Sequence, residues 1–291
     1  MLNITAYHCP TTMSEAVALL AEEGRAVIAG GTDLLVNPRY MVGVREVVDI
    51  RKLELDYIRH EANWLCIGAG TTMRTVARHS EIQALASGVL AQGAALCASP
   101  NIRNTATLAG NVASALPSAD TPPSLLVLDA QVVLTGIQGE RIVPLEQFFV
   151  GPGKSVRERE LIRELRIPLD HTGTTGGGFY KIFRTAEDIS IVNAAASLII
   201  EEGIITQARL VVGAVAPIPL RVKRAEEALL GQPPIEEILR RAADIAREET
   251  RPISDQRASA DYRRRTSAVA ALRALRQAAG LTKMEEAWQH S

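Results

Sequence analysis

The sequence has 291 residues, of which 47 % are hydrophobic and 22 % charged, and this composition predicts a globular chain of about two domains. Lysine and arginine number 32 and aspartate and glutamate 33, which gives a formal net charge of −1. So balanced a charge excludes a basic nucleic-acid-binding protein of the usual kind and a strong attraction to anionic membranes. The cysteines, Cys9, Cys66 and Cys97, lack metal-motif spacing and the N-terminus lacks a signal-peptide pattern, so we expect a cytoplasmic protein.

The first fifty residues predict a β-α-β unit. Thr12 and Glu15 stand three residues apart, as in a capping box at the start of a helix, and Gly24 lies where that helix should end. Two short apolar runs then predict strands, at 26–29 and near 47–50.

A second block, from about residue 55 to 168, alternates short strands with helices. Thr72 could cap one helix, and another is expected around 82–97. Pro117, Pro122 and Pro123 lead us to expect no regular structure between 116 and 123. The predicted strands of this block are 64–69, 131–135 and 160–167.

The segment DHTGTTGGG at 170–178 is rich in glycine and threonine, which predicts a flexible connection or a domain boundary. Beyond it the pattern predicts a three-stranded antiparallel sheet followed by helices, so the whole chain is expected to be α+β. The strands are expected at 179–183, 190–200 and 207–216, and the helices at about 221–230, 234–250 and 258–279.

Charge is distributed very unevenly along the chain. Residues 82–119 contain a single formal charge, Arg103, but polar residues and proline interrupt the apolar stretch too often for a membrane span. We expect this segment to be closely packed, either as plain core or as the lining of a cofactor site. The last part, 221–291, has 25 charged residues among 71, which fits a solvated helix surface or a subunit contact.

The first candidate site is a glycine-containing loop directly after a predicted strand. Two adjacent glycines let backbone N–H groups turn inward to bind a phosphate, and a threonine adds a hydroxyl donor. The motif is neither the GxGxxG nor the GxxxxGK[ST] type, and a simple tight turn is the alternative. An acid in the loop would repel a diphosphate, so we expect it to turn away and bond local backbone. The residues are Ile28, Ala29, Gly30, Gly31, Thr32, Asp33 and Leu34.

The second candidate site lies between Asn101 and Asp120, where uncharged hydroxyl and amide groups are dense. Gly110 permits close backbone approach to a ligand, and the Asp120 carboxylate could accept two hydroxyls from a ribose or ribityl chain. The alternative is that these side chains only cap their own backbone. The sequence contains no Ser-His-Asp set, HExxH motif or paired carboxylates, so no catalytic side chain and no metal ligand are predicted.

Several separated motifs resemble the FAD-binding medium subunit of the molybdenum hydroxylases, the family of the xanthine, aerobic carbon monoxide and nicotinate dehydrogenases. The resemblance covers essentially the whole chain and implies a vanillyl-alcohol-oxidase-like (PCMH-type) FAD-binding domain in two subdomains, followed by a C-terminal α+β domain. The implied boundaries are 1–172 for the FAD-binding domain, with subdomains of about 1–54 and 55–172, and 173–291 for the second domain. The motifs are AGGTDLL (29–35), IRNTATLAGN (102–111), SAD (118–120), LDA (128–130), FYKIFRTAEDI (179–189), VGAVAP (212–217) and ASADYRR (258–264).

The resemblance also implies roles for individual residues. The loop 28–34 should wrap the FAD diphosphate, and Asp120 should bond hydroxyls of the adenosine ribose or the ribityl chain. Tyr180 falls where relatives place a Lys or Tyr near the isoalloxazine, although packing in the C-terminal core is its alternative. Cys97 stands about where some relatives have an aromatic residue, which puts stacking at that position in doubt. The second phosphate-proximal loop should contain Thr107, Gly110 and Asn111, and the apolar flavin neighbours should be Leu161 and Ile162.

The implied activity is that of an oxidoreductase subunit. FAD on this chain would accept electrons from the two-iron two-sulfur clusters of a small subunit and pass them to NAD, a quinone or O₂. A large subunit would carry the molybdenum cofactor, and the complex is expected to be a dimer of heterotrimers. Two alternatives are kept: a binding or scaffold subunit without redox turnover, and a self-sufficient flavoprotein reductase like those of cell-wall precursor synthesis. The C-terminal motifs disfavour the second.

Overall fold

The computed structural model describes residues 4–169 and 174–281. We number strands and helices in chain order. The strands are β1 (Ala6–His8), β2 (Arg25–Ile28), β3 (Glu46–Asp49), β4 (Ile58–Glu61), β5 (Trp64–Gly68), β6 (Gln131–Gly136), β7 (Gly139–Pro144), β8 (Phe149–Gly151), β9 (Lys154–Ser155), β10 (Leu161–Pro168), β11 (Thr174–Ile182), β12 (Val192–Glu201), β13 (Ile204–Gly213) and β14 (Leu220–Arg221).

The helices vary from single turns to nineteen residues. Two further segments, Pro38–Met41 and Leu85–Gly88, form 3-10 turns. The helices are α1 (Met13–Leu20), α2 (Met73–Arg78), α3 (Ser80–Ala84), α4 (Val89–Ala95), α5 (Pro100–Arg103), α6 (Leu108–Ala113), α7 (Thr121–Val127), α8 (Leu145–Phe148), α9 (Lys223–Leu229), α10 (Glu236–Glu249) and α11 (Ala260–Ala278). None of them, over the described ranges, is both long and apolar enough to cross a membrane.

The described residues fall into two compact units, each built from separate stretches of the chain. Of the described residues, the first unit comprises 4–75, 100–115 and 129–169, and the second comprises 76–99, 116–128 and 174–281. The chain therefore passes repeatedly from one unit to the other. The expected domain boundary at 172/173 lies outside the described residues and stays a prediction.

The first unit begins with a three-stranded parallel sheet in the order β1-β3-β2, with α1 between β1 and β2. The helix starts as the capping pattern predicts, because Thr12 Oγ1 accepts the Glu15 N–H at 3.2 Å. The Glu15 carboxylate reaches back to the Thr11 N–H at 3.0 Å, one residue earlier than in a standard capping box. The predicted β-α-β unit is confirmed.

The rest of the first unit is a five-stranded antiparallel sheet in the order β4-β5-β10-β6-β7. Its central strands are buried along most of their length: Leu65, Cys66 and Ile67 of β5 are at most 1 % exposed. The predicted strands at 64–69, 131–135 and 160–167 correspond to β5, β6 and β10. The edge strands β4 and β7 were not predicted, because their mixed charged and apolar residues give no clear period.

The second unit is organised around a four-stranded antiparallel sheet, β11-β12-β13-β14, packed against α9 and α11, and α10 packs against these two helices. The three helices and the three long strands confirm the α+β prediction for this region. The fourth strand is a correction to the expected three. It consists of Leu220 and Arg221, which pair with Val212 and Val211. Two residues following a proline-containing turn are too few to produce a period in the sequence.

The glycine-rich segment is strand rather than linker from Thr174 onward, which corrects the prediction for 170–178; its first residues, 170–173, lie outside the described residues. Here glycine serves close packing. A Cβ on Gly176 or Gly178 would overlap backbone carbonyls of α11, and a Cβ on Gly177 would overlap the Ala86 carbonyl on the other side of the strand. The sequence pattern could not show this, because both neighbours are distant along the chain.

The uncharged segment is helical and buried, but less regular than predicted. The expected helix over 82–97 is divided by the 3-10 turn, in which Ala86 and Ser87 have φ angles of 44° and 51°. The proline-rich stretch also differs from expectation, because α7 begins at Thr121 with Pro122 and Pro123 in its first turn. Proline has no N–H to donate, and the first helical turn needs none, so these prolines start a helix instead of excluding one.

Replacing Gly177 by alanine tests this packing. The new Cβ would meet the Ala86 carbonyl, so we expect the free energy of unfolding to fall by about 2–3 kcal/mol in a urea titration followed by circular dichroism. Gly151→Ala is the matched control, since that position has open space around its Cα and should change stability little. Equal stability of the two variants would contradict the proposed close contact.

Candidate functional site

The glycine loop, residues 29–37, leaves the end of β2 and folds back on itself. The N–H of Leu35 donates to Gly31 O at 3.0 Å, and that of Asn37 donates to Asp33 O at 2.9 Å. Among the described residues, no group of the chain accepts a hydrogen bond from the N–H groups of 30–34. The loop thus presents consecutive free backbone donors, which is the arrangement that binds anions.

The second loop, residues 104–111, is held by hydrogen bonds at both ends of its central turn. Thr107 caps α6, its Oγ1 accepting the Gly110 N–H at 3.0 Å. Met73 N donates to Ala106 O at 2.8 Å, and Leu108 N donates to Thr71 O at 3.0 Å. These bonds fix the backbone of a loop whose exposed groups are amides and hydroxyls.

The two loops touch through Gly30. A Cβ at this position would overlap the Thr105 carbonyl and lie 3.1 Å from Ala106 Cα. Gly31 follows with φ +70°, a left-handed conformation in which a side chain is strained. The two adjacent glycines are therefore needed for different reasons. Gly30 allows the two loops to meet, and Gly31 adopts the left-handed conformation of the turn.

Asp33 is the one acid in the two loop sequences. Its backbone carbonyl accepts the hydrogen bonds that close the glycine loop, at 2.9 Å from Asn37 N. Its carboxyl interacts with the Ser114 hydroxyl, and burial raises its pKa. The interaction with Ser114 gives the Asp33 carboxyl a partner within the first unit.

The residues of these two loops fit the phosphate part of FAD. A diphosphate needs several convergent donors and little competing negative charge, and the glycine loop has free N–H groups with one partly buried acid. The second loop adds Asn104, Thr107 and Asn111, which bring amide and hydroxyl groups without charge. That Thr107, Gly110 and Asn111 contact the cofactor stays a prediction.

Asp120 lies in the second unit and is 5 % exposed. Its Oδ2 is 2.8 Å from Lys181 Nζ, and its Oδ1 accepts hydrogen bonds from Ser190 Oγ at 2.6 Å and Asn193 Nδ2 at 3.3 Å. Burial raises the pKa of Asp120, and the Lys181 charge acts in the opposite direction by stabilising the carboxylate. Both carboxylate oxygens thus have partners within the unit; the predicted bond to cofactor hydroxyls stays a prediction.

Sequence reasoning missed the three partners of Asp120. Lys181 adjoins Tyr180, which was singled out, but only the sheet shows that successive residues of β11 face opposite sides. Lys181 Nζ also donates to Leu96 O at 2.8 Å, so this ammonium joins β11 to the segment after α4. A lysine within an otherwise apolar strand was the signal that could have been used, because an unpaired buried lysine is rare.

The other predicted site residues, Leu161, Ile162, Tyr180 and Cys97, make their described contacts in different parts of the chain. Leu161 and Ile162 are 1 % and 4 % exposed in β10, within the first unit. The Tyr180 ring lies under the Arg273 guanidinium at 4.6 Å and packs against the core of the second unit. This contact favours the packing alternative for Tyr180, whose flavin role stays a prediction. Cys97 is partly exposed.

One group of possible metal ligands occurs among the described residues, at Glu61, Cys66 and Glu164. Arg166 Nε lies 2.6 Å from one oxygen of Glu164, and Tyr57 OH donates to the other at 2.5 Å. Burial raises the pKa of the Cys66 thiol to about 11, so a metal-binding thiolate is disfavoured at neutral pH. This is a carboxylate–guanidinium network, and we assign it no metal.

Two family models match the chain in succession. The model "FAD binding domain in molybdopterin dehydrogenase" matches residues 2–170. The model "CO dehydrogenase flavoprotein C-terminal domain" matches residues 178–278. The two spans cover the loops of the first unit and the sheet and helices that follow.

Similar proteins agree with these models. The chain is 33 % identical over 273 residues to the xanthine dehydrogenase FAD-binding subunit of Escherichia coli O157:H7, covering 90 % of this chain and 92 % of that protein. It is 33 % identical over 262 residues to the carbon monoxide dehydrogenase medium chain of Hydrogenophaga pseudoflava, covering 88 % and 91 %. The structure of carbon monoxide dehydrogenase from Hydrogenophaga pseudoflava superimposes with a TM-score of 0.90 at 32 % identity, covering 97 % of this chain and 100 % of that one.

The two family models and the fold define an FAD-binding flavoprotein subunit. The chain belongs to the family of FAD-binding medium subunits of molybdenum-dependent dehydrogenases, which includes those of xanthine dehydrogenase and carbon monoxide dehydrogenase. The resemblance found in the sequence motifs is therefore confirmed, as are the oxidoreductase class, the fold class and FAD as the cofactor of this chain.

Gly30→Ala should separate the two loops. Because its Cβ would overlap the Thr105 carbonyl, the loops can no longer meet, and we expect the purified protein to lose roughly nine-tenths or more of its bound FAD. The measurement is the ratio of flavin absorbance to protein concentration, with Gly151→Ala as control. Full FAD content in Gly30→Ala would contradict the contact.

The buried Asp120–Lys181 pair gives a second prediction. Lys181→Met leaves a buried carboxylate without its cation, and we expect a loss of about 3–5 kcal/mol in the free energy of unfolding. The double variant Asp120→Asn with Lys181→Met should recover part of this loss, because it removes both charges. Arg265→Met, which breaks the exposed pair with Asp261, is the control and should cost less than about 1 kcal/mol. A Lys181→Met loss as small as the control would refute the prediction.

Proposed function

We propose that this chain is the flavoprotein subunit of a multi-subunit molybdenum hydroxylase and that its FAD takes electrons from two-iron two-sulfur clusters of a small partner subunit. An external acceptor, which can be NAD, a quinone or O₂, would then receive them. The observation that carries the proposal is the row of free N–H groups at 30–34, in a loop that meets a second uncharged loop through Gly30. Bound FAD would supply the redox chemistry, and the chain would supply position and electrostatics.

Each loop has its own part in this proposal. The N–H groups of Gly30–Leu34 would donate to the diphosphate, and Thr32 would add its hydroxyl. Thr107, Gly110 and Asn111 would approach the phosphates from the second loop, where the Thr107 cap holds the Gly110 N–H in place. Asp33 would stay turned toward Ser114. For Asp120, Leu161, Ile162 and Tyr180 we retain the proposed roles at the cofactor hydroxyls and the flavin.

The partners are proposed from the relatives. The carbon monoxide dehydrogenase proteins of Hydrogenophaga pseudoflava and Afipia carboxidovorans are named medium chains, a name that refers to a complex with other chains. For this chain we propose a large subunit with the molybdenum cofactor and a small iron–sulfur subunit, assembled as a dimer of heterotrimers in the cytoplasm. Exposed charges on α10 and α11, such as Arg240 and Arg265, are available for solvent or for these partners.

The proposal is tested by isolating the tagged chain from its source organism with whatever binds it. We expect FAD in about equal amount to the chain, molybdenum and iron in the same complex by elemental analysis, and two further subunits on a gel. Stopped-flow reoxidation of the reduced complex with NAD⁺, a soluble quinone and O₂ then identifies the acceptor. The same measurement on Tyr180→Ala shows whether that ring controls access, since an unchanged rate would leave it to packing alone.

Three outcomes would reject the proposal. A chain that binds no flavin would remove the cofactor assignment. A chain that binds FAD but is isolated without molybdenum and iron would support the scaffold alternative, provided that no bound partner reduces its flavin. A flavin that is reduced directly by NADPH in the isolated chain would support the self-sufficient reductase.

A further inference from the structure

Tyr40 lies on the 3-10 turn Pro38–Met41, which directly follows the glycine loop. Its hydroxyl donates to the backbone carbonyl of Ser114 at 2.7 Å. Ser114 directly follows Ala113, the last residue of α6, and Thr107 of the second loop caps the start of the same helix. One side chain thus connects the far end of the glycine loop to the far end of the helix that the second loop starts.

A third segment meets the same place. Between β8 and β9, Gly153 N donates to Ala115 O at 2.9 Å. A Cβ on Gly153 would stand 4.0 Å from Cε1 of the Tyr40 ring, which is ordinary van der Waals distance. The ring therefore lies near this hairpin, while its hydroxyl reaches the Ser114 carbonyl. All of these residues belong to the first unit.

The Tyr40 hydroxyl is a permanent donor. Burial and the nearby Asp33 carboxyl raise the pKa of Tyr40 to about 12. The phenol consequently keeps its proton at any pH at which the protein is handled. Its acceptor is a backbone carbonyl, which does not titrate, so the bond does not depend on pH near neutrality.

We propose that Tyr40 is a positioning residue for FAD, which sets the spacing of the two cofactor loops through its bond to Ser114. This rests on the proposed function of those loops. Two connections then hold them: the approach of Gly30 to Thr105 near the start of each loop, and the Tyr40–Ser114 bond beyond the end of each loop. With both in place, the loop that holds the free N–H groups of 30–34 is connected to the second loop and its helix at two points.

Such a role affects affinity in a calculable way. If flavin-free protein has the loops correctly spaced only a minor part of the time, the apparent dissociation constant for FAD rises by the inverse of that fraction. Removing one neutral hydrogen bond weakens the spaced state by roughly a factor of five. Tyr40→Phe should therefore raise the FAD dissociation constant about fivefold, because the ring beside Gly153 is kept.

The test uses the full chain stripped of FAD and titrated with FAD, following the quenching of flavin fluorescence. The control is Tyr57→Phe, which removes another partly buried phenol from the same unit, one that donates to Glu164 at 2.5 Å in the five-stranded sheet. The thermal midpoint of each flavin-free variant is measured alongside. We expect Tyr40→Phe to weaken FAD binding about fivefold and Tyr57→Phe to lower the midpoint without changing the dissociation constant.

The results separate the possibilities. A Tyr40→Phe dissociation constant equal to that of the unchanged chain would overturn the inference and leave the flavoprotein function intact. Equal weakening in both tyrosine variants would also overturn it, by showing a general effect of stability. If the unchanged chain binds no FAD, the proposed function itself fails. Should Tyr40→Phe fold poorly, the rate of FAD release from its loaded fraction gives the comparison, and an unaltered rate would overturn the inference.

Discussion

The approach of Gly30 to the backbone of Thr105 is the constraint on which the candidate site depends. No residue with a Cβ can stand there, because that atom would overlap the Thr105 carbonyl. The contact joins a loop that follows a parallel strand to a loop that precedes α6, two segments separated by more than seventy positions in the chain. The donors of one loop and the hydroxyls of the other become a single surface only because this side chain is absent.

Features with local causes could be predicted from the sequence. The start of α1 depends on Thr12 and Glu15, whose hydrogen bonds span only a few residues, and the glycine loop follows its strand directly. The roles of distant partners could not be predicted. Lys181 and Asp120 are 61 positions apart, and nothing in the segment around either residue indicates the other. For the same reason the motif at 118–120 could not show that the Asp120 carboxylate is paired within its own unit, and its predicted ligand contact stays a prediction.

Two predictions made from local sequence were wrong, one at successive glycines and one at adjacent prolines. Three successive glycines normally indicate a flexible connection, yet Gly176, Gly177 and Gly178 form a strand with backbone packed against both of its faces. Adjacent prolines normally interrupt structure, yet Pro122 and Pro123 occupy the first turn of α7, where their fixed φ is suitable. In both cases the residue type restricts the backbone as expected, and tertiary context decides which of its permitted roles is used.

The repeated passage of the chain between its two units has a consequence for how the protein could be divided. The family model that matches the first domain ends at residue 170, but the second unit includes the earlier segments Val76–Ser99 and Leu116–Leu128. A fragment ending at 170 would carry α4 and α7 without the strands β11 and β12 that cover them, exposing apolar side chains that are now buried. The two sequence domains therefore share the core of the second unit. Gene fusions or truncations that treat them as separate modules would cut through that core.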